Sequence, residues 1–252
     1  MRWSTHRAIA RAAARMIGLG GGELSSLLRG VVDPDRNPER TVKVKVGRGS
    51  RVYTRAVPVS HHNPSIGMIM RHVWRARRSL LAGDAESAAY WAGWAVHYVQ
   101  DKCAGKGPLG LRHGPVEEGA AHVPIDEDLV RRGVRGAACS PNFVRRVIGA
   151  VKPSTSPVRA VEEAVLASSA ILAAIFGPTR PPPRLMAEYR EAAKRHGKIL
   201  IGIAGSLMAA LASAAVNLPP LILFSAAAAG GLYLADGRYR ELRDEAGWFG
   251  EA

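Results

Sequence analysis

Thirty-seven consecutive residues, 199–235, carry no charged side chain, and this run limits what the chain can fold into more than any other feature. Asn217-Leu218-Pro219-Pro220 divides it into two runs of about 18 residues, because a proline pair does not continue a helix. As helices at about 1.5 Å per residue, runs of that length reach roughly 27 Å, close to the hydrocarbon thickness of a bilayer. Lys194, Arg195 and Lys198 flank one end, and Arg238, Arg240 and Arg243 the other. Clustered Lys and Arg stay on the cytoplasmic side of a membrane. The expected arrangement is a transmembrane helical hairpin over 199–235, with both ends cytoplasmic and the Asn-Leu-Pro-Pro turn on the far side. A buried hairpin of a soluble bundle, or a re-entrant dip, satisfies the same pattern.

Charge is concentrated elsewhere. Residues 1–177 hold 26 Lys/Arg against 14 Asp/Glu, and residues 178–198 hold six against two. A basic body beside an uncharged run suits an anionic partner, either phospholipid headgroups or nucleic acid, although a solvated basic surface has the same arithmetic. An apolar fraction of 47% excludes a disordered chain, and aromatics at only 6% beside abundant alanine favour helices over a β core. Two cysteines, Cys103 and Cys139, make neither a disulfide scaffold nor a metal knuckle. Pro181-Pro182-Pro183 marks a boundary. The expected organisation is a helical domain over 1–177, a Pro-rich basic linker or helix over 178–198, the hairpin over 199–235, and a polar tail over 236–252.

Within the first segment, apolar spacing predicts helices near 5–18, 65–82, 85–102, 115–121, 126–134, 141–150 and 157–176, with Thr5 able to cap the first. Thr-Val-Lys-Val-Lys-Val at 41–46 alternates with period two, Gly47 to Ser50 reads as a turn, and Arg51 to Thr54 resumes, which predicts a β-hairpin. His72 and His196 read as surface or interface residues, and Trp74, Trp91 and Trp94 as core. Met1-Arg2 and the recurring Arg7, Arg11 and Arg15 lack the apolar stretch of a secretory signal, so Trp3 is expected to remain internal.

The remaining chemistry lies in histidines and carboxylates. His97 and Asp101 are four apart on a predicted helix, which sets both on one face, and imidazole with carboxylate suits a divalent metal. His113 and Glu117 repeat the spacing, with Pro115 fitting only a first helical turn, so His113 falls at or before that helix's start. His6 lies near the head of the first helix after Trp3, Asp33-Pro34-Asp35 is a carboxylate-rich turn, and His61-His62 follow the hairpin.

The order of these pieces resembles the zinc-dependent phospholipase C / S1–P1 nuclease superfamily: Trp3 and Thr5-His6, Pro34-Asp35, His61, His97 with Asp101, then His113 with Glu117. The resemblance spans roughly residues 3–175. It implies an all-α, multi-helix phospholipase C/P1 nuclease-like domain, here with a small β-hairpin insertion and the C-terminal hydrophobic hairpin added. It further implies one to three zinc ions and hydrolysis of phosphodiesters. Carried over residue by residue, one zinc takes Asp35, His61, His97 and Asp101. Asp101 bridges to a second zinc held by His6 and the Trp3 backbone, and a third takes His113 and Glu117. Asp35, or a metal-bound hydroxide beside it, is then the base or nucleophile. The chain departs from the family in two places. Trp3 is preceded by Met1 and Arg2 and offers no free amine. Gly107 stands where a further His is usual, leaving the third site one ligand short unless His122, Cys103 or water supplies it. His62 is the alternate to His61.

Three functions fit these readings. The first is a membrane-tethered phospholipase C-like hydrolase with its catalytic domain on the cytoplasmic side. The second is a single-strand nuclease, whose basic 41–55 segment tracks a phosphate backbone. The third is a catalytically degenerate, membrane-bound binding module.

Overall fold

The computed structural model describes residues 1–46, 52–58, 64–105, 113–215 and 219–252. His61, His62 and Gly107 lie outside these residues. The chain is mostly helical and divides into two units, Met1–Pro178 and Thr179–Ala252.

The first unit contains α1 (Trp3–Met16), α2 (Gly21–Gly30), α3 (Asp33–Arg36), β1 (Arg40–Val46), β2 (Val52–Pro58), α4 (Ile66–Leu81), α5 (Ala85–Cys103), α6 (His113–Ala120), α7 (Glu127–Arg135), α8 (Pro141–Ala150) and α9 (Pro157–Ile175). The two strands pair antiparallel, with Val44 opposite Thr54. Helix starts follow local chemistry. Ser65, Asp84, Asp126 and Ser140 each accept a first-turn backbone N–H at their helix's start, and Pro141 and Pro157 occupy positions where a missing N–H is harmless. Thr5 is not a cap. Helix α1 begins two residues earlier with Arg2 at its N-cap, and Thr5 is buried within the first turns.

Helix α5 runs through the middle of this unit. From Ala88 onward nearly every residue is buried, packed against α2, α4 and α9. Small residues permit that closeness. A Cβ on Gly93 would lie 2.6 Å from the Leu27 carbonyl oxygen and 2.7 Å from the Val31 nitrogen, and one on Gly30 would lie 2.1 Å from the Tyr90 oxygen. The α2–α5 crossing is thus backbone against backbone, and it delivers the end of α2 to the C-terminal half of α5.

The Arg-rich side of α4 is not wholly solvated. Arg77 is fully buried and donates to the carbonyls of Ile175, Gly177 and Pro178, closing the C-terminal end of α9 with a cation. His72, expected at the surface or an interface, is also fully buried. It stacks on Trp91 and Trp94, with ring centroids 5.8 and 5.2 Å away, and lies 3.5 Å from Glu39.

The second unit holds α10 (Pro183–Ala215), α11 (Pro219–Ala235) and α12 (Gly237–Gly247). The basic segment expected as a linker or helix is helical from Pro183 and runs without a break into the first apolar run, forming one continuous helix, α10. Among the described residues α10 is the one helix long and apolar enough to cross a membrane. Its most apolar stretch is almost entirely unburied, and Ile201 and Met208 are 74% and 66% exposed. Helix α11 returns antiparallel: Gly202 abuts Leu232, and His196 bonds Asp236 while stacking on Tyr239 at 4.0 Å.

Candidate metal centre

Four of the sequence-predicted residues meet inside the first unit. His6 comes from α1, Asp35 from the short α3, and His97 and Asp101 from α5. The ligand atoms of His6, Asp35 and His97 lie within 4.8 Å of one another, a group that could hold a metal ion. His6 and His97 are fully buried, with ring centroids 4.4 Å apart, and Asp101 is 1% exposed. Asp35 is the open side of the group, its side chain 21% exposed.

Each imidazole is oriented through its inner nitrogen. His97 Nδ1 lies 2.9 Å from the Val31 carbonyl, the group delivered by the glycine-mediated crossing of α2 and α5. His6 Nδ1 lies 2.5 Å from Gln100 Oε1, and Gln100 Nε2 donates to Ser168 Oγ at 3.1 Å, linking α1, α5 and α9. Both partners of Nδ1 are acceptors, so Nδ1 carries the proton and Nε2 presents a lone pair. These are the second partners that metal-binding histidines require. Burial, and then the neighbouring His97, push the His6 pKa down, which keeps the ring neutral as a ligand must be.

The two Nε2 atoms converge on one carboxylate. Asp101 Oδ1 lies 3.3 Å from His6 Nε2, Asp101 Oδ2 lies 3.3 Å from His97 Nε2, and Asp35 Oδ1 lies 3.6 Å from His97 Nε2. Donors held about 2.0–2.1 Å from one tetrahedral ion stand roughly 3.3–3.4 Å apart, so the observed spacings match neighbouring ligands on one ion.

The remaining predicted residues are placed differently. Trp3 meets the group through its side chain: indole Nε1 donates to Asp35 Oδ2 at 2.7 Å, while its backbone lies in the first turn of α1. The Met1 α-amino group lies 2.9 Å from Asp101 Oδ1 and 2.8 Å from Glu117 Oε1, so the amine links Asp101 to Glu117. His113 is the first residue of α6, in keeping with Pro115 in the first turn. His122 is exposed just beyond α6. Cys103 is buried at the end of α5, and burial pushes its thiol pKa up, away from the thiolate a metal needs.

Gln100 and Val31 were not anticipated. Gln100 had a visible signal, since it lies on the same helix face as His97 and Asp101. Val31 had none, because its role belongs to a carbonyl oxygen and depends on which helix crosses α5. No family model, no curated protein and no solved structure matches this chain.

Proposed function

We propose that this chain is a membrane-tethered, zinc-dependent phosphodiester hydrolase of the phospholipase C type, with phospholipid as substrate. The observation that carries the reading is the pair of buried imidazoles, each fixed at Nδ1 and each turning Nε2 toward Asp101. Two nitrogens and two carboxylates form a donor set suited to zinc. Zinc bound there supplies positive charge to phosphate oxygens and acidifies water. His6, His97 and Asp101 would hold the ion, and Asp35 would close the group on its open side. Asp35, half-buried and anchored on one oxygen by Trp3, keeps its other oxygen toward the group, where it accepts a proton from an attacking water. Glu117 with His113 is the corresponding pair for a further ion.

The membrane part rests on the unburied apolar length of α10 and on the apolar α11 that returns beside it. Together they form the transmembrane hairpin, basic at its open end and therefore cytoplasmic there. Tethering raises the effective concentration of lipid without demanding tight binding.

A nuclease reading keeps the same centre and takes the basic 41–55 segment, by its sequence alone, as the track for a phosphate backbone.

The test is the zinc-loaded full chain offered phosphatidylcholine or phosphatidylserine in one assay and single-stranded DNA in another. Diacylglycerol release that is abolished by Asp101→Asn supports the lipid reading. Nucleotide release alone supports the nuclease. Neither product, from protein that holds zinc, rules out both.

A further inference from the structure

The rim of the centre holds a cation that the metal group does not use. Helix α3 is pinned at two points: the Tyr90 hydroxyl donates to Asp33 Oδ2 at 2.7 Å, and Trp3 Nε1 donates to Asp35 Oδ2 at 2.7 Å. The next residue, Arg36, is exposed, and its guanidinium carbon lies 4.7 Å from the centroid of the Trp3 ring. One indole therefore touches Asp35 by its edge and Arg36 by its face.

Two nearby cations are already paired. The Met1 ammonium is paired with Asp101 and Glu117, and Arg2 with Glu118 at 3.1 Å. Among the described residues Arg36 has no carboxylate partner, so its N–H donors are available to an incoming anion. Stacking on a residue that is itself tied to Asp35 holds the guanidinium beside the reacting group before substrate arrives. Trp3 is also the exposed aromatic at this rim, 43% accessible, and its face already carries a cation. A quaternary ammonium that needs an aromatic face competes with Arg36 for that ring, and like charge repels it.

We propose that Arg36 is the specificity residue of the centre, receiving an acidic group on the headgroup side of the substrate. The site then selects phosphodiesters with a second negative charge, a carboxylate or a phosphate monoester, over those ending in choline. This rests on the hydrolase reading above and narrows its substrate class.

The experiment uses the zinc-loaded full chain with short-chain phosphatidylserine and phosphatidylcholine, both monomeric, so that surface charge plays no part. The wild type is expected to show a higher kcat/KM for phosphatidylserine. Arg36→Gln lowers the serine-to-choline ratio about tenfold or more, mainly through KM, because a charge-assisted hydrogen bond is lost. Arg131→Gln, which removes one charge from α7, leaves the ratio unchanged. Calorimetry gives a second readout: phosphoserine binds more weakly to Arg36→Gln than to the wild type, while zinc content is equal in the two. A ratio that is the same in the wild type and Arg36→Gln, with both lipids hydrolysed, overturns the role of Arg36 and leaves the hydrolase standing. Hydrolysis of neither lipid overturns both.

Discussion

Gln100 shows how much of the centre depends on residues that never touch a ligand. Its Oε1 fixes the His6 tautomer, and its Nε2 is held by Ser168. Gln100→Leu keeps the volume but leaves the His6 Nδ1–H without an acceptor. Zinc affinity is expected to fall by about 10–100-fold, as for other partners of metal-binding histidines, with about 1–3 kcal/mol of stability lost from the unpaired buried donor; competition with a chromophoric chelator and urea denaturation read the two effects. His72 offers a pH test away from the centre. Burial is the main cause that lowers its pKa to about 4; Glu39 opposes the shift, while Arg71 and Arg75 reinforce it. The unfolded chain then takes up the His72 proton before the folded one does. Stability should rise with pH between about 4 and 6.5, approaching 1.4 kcal/mol per pH unit in the middle of that window. His72→Phe, which keeps the stack on Trp91 and Trp94, should flatten that part of the urea-midpoint profile; an unchanged slope would show that other groups set it. His97 and Asp101 were legible in the sequence because a helix converts a spacing of four into a shared face. The burial of His72 was not, because one histidine among the arginines of α4 has the same local pattern whether it faces solvent or aromatic rings.

At the scale of elements, the crossing of α2 over α5 couples folding to the centre. Gly93→Ala places a methyl within 2.6–2.7 Å of the Leu27 and Val31 backbone atoms, which cannot yield as a side-chain tip does. Helix α2 must move, taking the Val31 carbonyl away from His97. The expected cost is about 1–3 kcal/mol, together with weaker zinc binding; full stability with unchanged affinity would mean that the crossing tolerates a wider gap. Arg77→Met should cost about 3 kcal/mol, since three carbonyls at the end of α9 lose their shared donor, and the thermal midpoint measures it without reference to metal. Helix positions were largely legible, because Ser, Asp and Pro punctuate their starts. The continuity of α10 was not. Lys198 ends a run of charge, but no proline interrupts Arg184 to Ala215, and a change in polarity does not end a helix.

At the scale of the whole molecule, the chain joins a unit with a buried polar centre to one whose apolar residues face outward. Leu223 and Phe224 on α11 are each 74% exposed, as Ile201 is on α10. The full chain is expected to need detergent and to resist alkaline extraction from membranes, whereas a chain ending at Pro178 should stay in the supernatant; a full chain that is freely soluble would contradict the hairpin. The proposed chemistry needs the metal before it needs the membrane, and metal content is therefore the most direct measurement. Purified full-length protein, supplied with zinc and dialysed, is predicted to retain at least one ion per chain by elemental analysis. His6→Ala with His97→Ala should lose it, and His72→Phe should keep it. Protein that retains no metal, or a His6→Ala/His97→Ala double variant that retains as much as the wild type, would contradict the assignment of this centre.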